Sequence, residues 1–249
     1  IYNTGFAVDV AKLDEVKVQF ETEKLDIENR LQVQIRSLMG DTPINLNSPE
    51  QMSWVIYSRK PHDKTMWANA FTPYMSKQDF NTTVSSNSDI VYRTQAVSCR
   101  ECNGTGQIRK VRKNGLLYTN AHKCLPCSAS GYIFQSTKVV AGLKFKAPSS
   151  KWISANGFGV SKTNLDMLQS MAKRVNMTDA VNFLTDVKRL SALDSYLSSF
   201  VEGIKAHVKS DGKLHVRLLQ HRTSTGRFSG ADPNMQNMPR GGTFPVKKV

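Results

Sequence analysis

No apolar run in this sequence approaches the ~18 residues of a membrane span, and no charged-then-apolar signal segment opens it. A cytoplasmic protein with no membrane partner is therefore expected. Acidic residues are also scarce: 20 Asp and Glu face 34 Lys and Arg, a formal net charge of +14. That imbalance points to a polyanionic partner, nucleic acid before an anionic membrane. Cysteine is limited to 4 residues in 249, enough for two disulfides or one metal centre. The chain exceeds one average domain, so one large or two modest domains with an ample core are expected. Its first residues, IYNTGFAVDV, read as mid-domain sequence, and the amino end is expected to be a cut or processed boundary.

The four cysteines fall in two close pairs, Cys99/Cys102 in SCRECNGTGQ and Cys124/Cys127 in HKCLPCSASGY, with a 21-residue spacer. Two residues between cysteines let one turn present both sulfurs to a tetrahedral ion, so the four thiolates predict a structural Zn2+ site. Gly104, Gly106 and Gly131 permit the tight backbone that follows each pair. The spacer is longer than in the commonest zinc ribbon, which costs little because loops lengthen cheaply. The alternatives are disulfides in a secreted protein or redox-active thiols. The missing signal segment weighs against the first and the doubled pair against the second. His122, next but one to Cys124, could replace a thiolate but is better read as solvated or phosphate-facing. The first knuckle, CRECNGTG, also resembles the repeats of the DnaJ zinc region, although two knuckles are too few for that domain.

Charge is concentrated around these cysteines. Between Val91 and Ser150 there are ten basic residues and one acid, Glu101, so this segment carries +9 of the total +14. Within it QIRKVRKNGLLY reads as a hairpin with Asn114-Gly115 at the turn. Arg109, Lys110, Arg112 and Lys113 would then stand on a short ribbon able to lie along a phosphate backbone, releasing counterions and making binding salt-dependent. The bland reading is a solvated face, which the one-signed excess disfavours.

Elsewhere the periodicity is helical. Asp9 can cap a helix whose apolar positions, Leu13, Val16, Phe20, Ile27, Leu31, Ile35 and Leu38, recur at spacings of three, four and seven. About thirty residues at 1.5 Å each span about 45 Å. The helix ends at Gly40, and Ser48-Pro49 predicts the start of a second, shorter one. Residues from about Lys60 to Ser88 lack a clear period and read as loop. SKTNLDMLQSMAKRV and TDAVNFLTDVKRLSALDSYLSSFVEGIKAHV predict two further helices, the second long, and KLHVRLLQHRT alternates as a strand. The fold class is mostly α with a small β part.

The stretch TSTGRFSGADPNMQNMPR has no apolar period and is dense in arginine, hydroxyl and carboxamide side chains. It resembles the segment written TGRLSSxDPNLQNIP in family A DNA polymerases, the DNA polymerase I type. Three further blocks in the family's order support the resemblance: GFAVDVAKLDEV with INLNSPEQM, GFGVSKTNLDML with VKRLSALDSYLSSF, and DGKLHVRLLQHR. It covers nearly the whole chain apart from about Lys60 to Lys151. The resemblance implies outgoing thumb helices over 1–60, a thumb-tip insert over 61–150 with its zinc-ribbon-like core at 91–150, returning thumb helices over 151–208, and the start of the palm with its primer-grip loop over 209–249.

The same resemblance assigns roles. Arg227 is expected to donate to the minor groove at the primer end, where the acceptors of every correct pair occupy the same places. Asn234, Gln236 and Asn237 would contact primer or template sugars and bases, with Asn237 equally readable as a loop brace. Arg222, Thr223, Thr225 and Ser229 suit phosphate oxygens. Gly230 stands where the family pattern has its second Ser, which removes one donor. The palm aspartates that hold two Mg2+ ions for nucleotidyl transfer, and the fingers, correspond to sequence beyond Val249. No catalytic residue is thus expected in this chain, and Asp9, Asp194 and Asp211 are expected to be structural. The implied partners are primer-template DNA and a segment or separate polypeptide carrying palm and fingers, as in a split polymerase. In a phage relative the thumb tip carries an insert that recruits thioredoxin, which implies by analogy a processivity partner here and a phage source. The alternative from a different class is a non-catalytic zinc protein that binds nucleic acid.

Overall fold

The apolar spacing after Asp9 closes into a helix of the expected length. In the computed structural model, which describes residues 4–41, 43–59, 90–146, 158–219, 227 and 229–231, α1 runs Val10–Met39. Its first turn is capped by Asp9, whose Oδ1 accepts from Lys12 N at 2.9 Å. The remaining elements are β1 Phe6–Ala7, α2 Pro49–Tyr57, β2 Tyr92–Ser98, β3 Gln107–Val111, β4 Leu117–Lys123, β5 Tyr132–Val140, α3 Lys162–Arg174, α4 Thr178–Ser195, a π-helical stretch Tyr196–Glu202, α5 Gly203–Lys205, β6 Lys213–Leu214, β7 Arg217–Leu219 and β8 Ser229–Ala231. Helix is the most abundant structure among the described residues, ahead of four two-stranded sheets, in keeping with the predicted class of long helices with a small β part. Among them no helix is long and apolar enough to cross a membrane.

The chain divides into two compact units, Ile1–Arg30 with Thr185–Val249, and Leu31–Leu184. In the first, Leu13, Val16, Phe20 and Ile27 of α1 are buried, as are Leu190, Leu193, Val201 and Ile204. The ion pairs give the direction of the two chain runs: Arg30–Asp186, Glu23–Arg189, Lys24–Asp194, Lys17–Glu202 and Asp14–Lys205. As one number falls the other rises, so the segments are antiparallel. Arg189 holds Glu23 with two hydrogen bonds of 2.6 and 2.7 Å, and its guanidinium lies 5.8 Å from the Phe20 ring centroid. The other pairs are largely exposed and add little individually, so the buried stripe carries most of the association.

The long helix expected from Thr178 changes its hydrogen-bonding after Ser195, passing through the π stretch into α5. The Ser195 and Ser198 hydroxyls donate back to the carbonyls of Ser191 and Asp194 at 3.0 and 2.6 Å. Such back-bonding competes with the regular ladder and loosens it. The strand expected across KLHVRLLQ is likewise divided. β6 pairs with β1 and β7 with β8, and the break at His215-Val216 lets one run serve two sheets.

In the second unit α2 is apolar nearly all round. Met52 through Tyr57 are all buried, the pattern of a helix enclosed by protein. Its cap is the predicted Ser48, whose side chain accepts from Gln51 N. The same unit also buries Leu31, Ile35 and Met39 of α1, Leu165 and Leu168 of α3, and Phe183 and Leu184 of α4. At the end of α1 it is Met39 that is fully buried, while Leu38, predicted as the core position, is half-buried. Tyr57 donates to Gly159 O at 2.8 Å, and burial pushes its hydroxyl up to about 12. β2 and β5 form an antiparallel stem joined to the helical part through Leu143 N to Val55 O at 2.8 Å and Asp41 N to Thr94 O at 2.9 Å.

Arg189, chiefly by hydrogen bonding, holds the Glu23 carboxyl below its ordinary 4.5 despite opposing desolvation. A carboxyl depressed in the folded state stabilises above its unfolded pKa and loses that contribution as pH falls through the folded one. Glu23→Gln is therefore expected to lower stability by about 0.5–1 kcal/mol at pH 7, with the difference shrinking below pH 4.5. Denaturant melts of both proteins from pH 7 to pH 3 check this.

Candidate metal centre and nucleic-acid interface

The β2–β5 stem ends at the Ser98–Tyr132 pair, and the next residue of β2's strand is Cys99. From there the chain makes the same turn twice. Cys99 N donates to Gly131 O at 2.8 Å and Cys124 N to Gly106 O at 2.9 Å. After each pair a hydroxyl lies 2.6 Å from the second cysteine's carbonyl, Thr105 on Cys102 and Ser130 on Cys127. CRECNGTG and CLPCSASG are thus two copies of one knuckle, interlocked through their glycines. A Cβ on Gly106 would lie 2.3 Å from Ala129 O, and one on Gly131 would lie 2.3 Å from Gly104 O. Both positions also have φ above +70°, where side chains are disfavoured.

This arrangement gathers all four predicted cysteines. Their sulfurs lie within 4.8 Å of one another, and all four residues are buried. Cys99 and Cys124 Sγ are 3.8 Å apart, and Cys102 and Cys127 Sγ 3.7 Å. An ion bonded to four sulfurs at about 2.3 Å places neighbouring sulfurs about 3.8 Å apart, so the cluster has the dimensions of a tetrahedral thiolate site. No disulfide joins the cysteines. Burial raises both thiols whose shifts are large. At Cys124 it prevails, pushing the group up to about 12, whereas at Cys102 the Gly106 N–H at 3.3 Å and the neighbouring sulfurs outweigh it and bring the thiol to about 7. His122 lies on β4 opposite Ile108, outside the cluster.

The spacer between the knuckles is the predicted hairpin. β3 and β4 are antiparallel, with Arg109 opposite Ala121 and Val111 opposite Leu117. Arg112 N donates to Leu116 O at 2.7 Å and Gly115 N to Arg112 O at 2.9 Å, and Gly115 takes a positive φ of 81°, closing a three-residue loop. Arg109, Lys110, Arg112 and Lys113 are all exposed on this ribbon. The stem β2–β5 was not anticipated from the sequence, although the β-branched and aromatic residues of YIFQSTKVV carry a strand signal.

Of the residues implied to hold primer and template, Arg227 is exposed, and Ser229 is half-buried at the start of β8 opposite Leu219. Gly230, opposite Leu218, is buried. Arg222, Thr223, Thr225, Asn234, Gln236 and Asn237 lie outside the described residues, as does the loop predicted after Lys60. The three aspartates expected to be structural have structural partners: Asp9 caps α1, Asp194 pairs with Lys24 at 2.6 Å, and Asp211 accepts from His215 at 2.8 Å and Lys213 N at 3.0 Å. The hydrogen bond from His215 holds the Asp211 carboxyl below its ordinary range.

Residues 129–247 match the family described as DNA polymerase family A. Over 110 residues the chain is 30% identical to DNA polymerase I of Lactococcus lactis subsp. cremoris, covering 40% of this chain and 12% of that one. Over 77 residues it is 34% identical to DNA polymerase I of Streptococcus pneumoniae serotype 4, covering 31% of this chain and 8% of that one. Among solved structures it is similar to the POL domain of Pol1 from M. smegmatis in complex with DNA primer-template and dNTP, with 17% identity and a TM-score of 0.45 over 96% of this chain and 24% of that one. The chain thus spans a small part of the length of these relatives.

Ala129 occupies in the second knuckle the place of Gly104 in the first, and it takes a φ of +66° there. Ala129→Gly is expected to raise stability by about 0.5–1 kcal/mol, the strain relieved less the entropy added to the unfolded chain. Gly131→Ala should instead disrupt the knuckle. The denaturation midpoints of the two variants, which must move in opposite directions, check this.

Proposed function

We propose that these 249 residues are the DNA-holding portion, thumb and first part of the palm, of a DNA-directed DNA polymerase. The observation that carries the reading is the match of residues 129–247 to DNA polymerase family A, which includes the TGRFSGADPNMQNMP stretch and the helices leading to it. On this reading 1–60 and 151–208 are the outgoing and returning thumb, 61–150 is a thumb-tip insert, and 209–249 begins the palm. The Mg2+ ions of such an enzyme activate the primer hydroxyl and stabilise the leaving pyrophosphate. Their ligands correspond to sequence outside this stretch, in a continuing segment or a separate chain, and the residues here hold the primer-template.

Arg227 has the chemistry for the primer-end minor groove, its exposed guanidinium able to donate to acceptors that every correct pair presents. Ser229, with Arg222, Thr223 and Thr225, suits backbone phosphates, and Asn234, Gln236 and Asn237 suit sugars and base edges. The four-cysteine cluster has the donor set and spacing for Zn2+, and it would act as a structural clamp on a zinc-ribbon-like insert. The insert's basic hairpin supplies duplex contacts through phosphate neutralisation, and the same surface could receive a processivity partner.

Two measurements test the reading. Purified chain should bind primer-template DNA with a salt-dependent affinity, and Arg227→Ala should weaken it about tenfold, the loss expected for a good donor. When palm and fingers are supplied, primer extension should fall by at least as much. Absence of primer-template binding by the wild-type chain would overturn the assignment. Separately, the chain should carry one equivalent of zinc by elemental analysis, and Cys99→Ser with Cys127→Ser should lose it together with part of the DNA salt slope. Unchanged affinity and slope in that double variant, correctly folded, would remove the insert from DNA binding.

A further inference from the structure

Contact with phosphates would need only the basic side chains of the β3–β4 hairpin, yet its tip is also apolar. Every residue from Arg109 to Lys123 is exposed, so the ribbon has no buried face. At the tip Val111, Leu116, Leu117 and Tyr118 are exposed by 64%, 63%, 56% and 48%. They occupy both faces of the tip: Val111 stands opposite Leu117 on one, and Tyr118, the next residue of its strand, lies on the other with the Arg112 guanidinium 4.9 Å from its ring centroid. A two-stranded ribbon is marginal in water by itself, and here the metal knuckles at its base can hold it out. A side-chain row kept wet on both faces, and apolar at its end, lacks a structural purpose within the hairpin.

The charge of the ribbon selects its ligand. Arg109, Lys110, Arg112 and Lys113 share the ribbon with these apolar residues, there is no acidic residue from Gln107 to Lys123, and among the described residues no carboxylate lies within ion-pair distance of these four. The ligand must therefore be anionic and offer apolar faces at the same place. A closed duplex presents its phosphates but keeps its base faces stacked inside. A single strand presents both, and a tyrosine beside an arginine is a platform on which any base can stack.

We propose that the hairpin tip binds single-stranded DNA, with Tyr118, Leu116 and Leu117 against unpaired base faces and the four basic residues against the phosphates. The choice of DNA as the nucleic acid rests on the polymerase reading above. The placement of apolar contacts at an unpaired strand rests on the hairpin itself.

The test uses the full, metal-loaded chain and fluorescence anisotropy with labelled oligothymidylate, a blunt duplex and a primer-template, alongside sedimentation with phosphatidylserine vesicles. Tyr118→Ala should weaken oligothymidylate binding about tenfold, the loss of one stacked base, while changing duplex affinity less than about twofold. Its salt slope should be unchanged because no charge is removed. Arg109→Ala with Lys110→Ala should weaken binding and flatten the slope. Because all these side chains are exposed, metal content and melting temperature should match the wild type and certify the fold. Equal losses on single strand and duplex, or no loss on either, would overturn the proposal. So would vesicle binding abolished by Leu116→Ser with Leu117→Ser while oligothymidylate binding persists. A wild-type chain that binds oligothymidylate through Tyr118 but fails to bind primer-template would sink the polymerase reading and leave this one standing.

Discussion

Four sulfur atoms brought within 4.8 Å of one another are the constraint on which the most unusual part of the structure depends. The 21 residues between the second and third cysteines contribute little to any core, and the hairpin they form is wet on both sides. Hydrophobic burial cannot hold such a ribbon in one place. Among the described residues the buried side chains at its base are those of the four cysteines, with Ile108 and Ile133 packed against them. Drawing both knuckles to one centre closes the spacer into a loop, and the hydrogen bonds that cross between Gly131 and Cys99, and between Gly106 and Cys124, fix its register. The hairpin's position is thereby set by the four-cysteine cluster and backbone contacts, leaving its surface free to be chosen for a ligand.

The two helical runs of the first unit follow a different logic. Their association is a matter of apolar area, from Leu13, Val16, Phe20 and Ile27 against the buried residues after Thr185, and the charged pairs mark a register. The Arg189–Glu23 pair is the best formed of them because the fork of the guanidinium meets both carboxylate oxygens. A regular scaffold of this kind can present a neighbouring segment without contributing to its chemistry. In the second unit, by contrast, Met52 through Tyr57 of α2 are all buried, and the carbonyls of Val55 and Ile56 accept from Leu143 N and Phe145 N.

The proposed DNA contacts differ in chemistry from one part of the chain to another. On the proposed function, Arg227 meets paired ends, where donors face acceptors shared by all correct pairs. The hairpin tip is suited to bases without partners, where flat faces are accessible. A protein that holds a primer-template meets both kinds of DNA, since a template continues as a single strand beyond the paired region. The net charge of +14, concentrated between Val91 and Ser150, would favour approach to either.

The local features were legible in the sequence because each depends on neighbours along the chain. The 3.6-residue spacing from Leu13 to Ile35 and the Asp9 and Ser48 caps marked α1 and α2. The doubled C-x2-C marked the four-cysteine cluster, and Asn114-Gly115 the hairpin turn. What escaped had longer-range causes. The β2–β5 stem joins strands more than thirty residues apart, and nothing near Tyr92 announces that Val140 will pair with it. The strand through His215 broke because its two halves have different partners, and Met39 displaced Leu38 from the core because burial depends on what packs against the helix end. Composition and spacing by themselves determined that the chain is basic, rich in helix and able to gather four thiolates. Only the tertiary structure decided that the thiolates meet at tetrahedral distances, that Ala129 must share a left-handed turn with Gly104, and that apolar side chains stand exposed at the tip of a basic ribbon, because each of these depends on which distant segments come together.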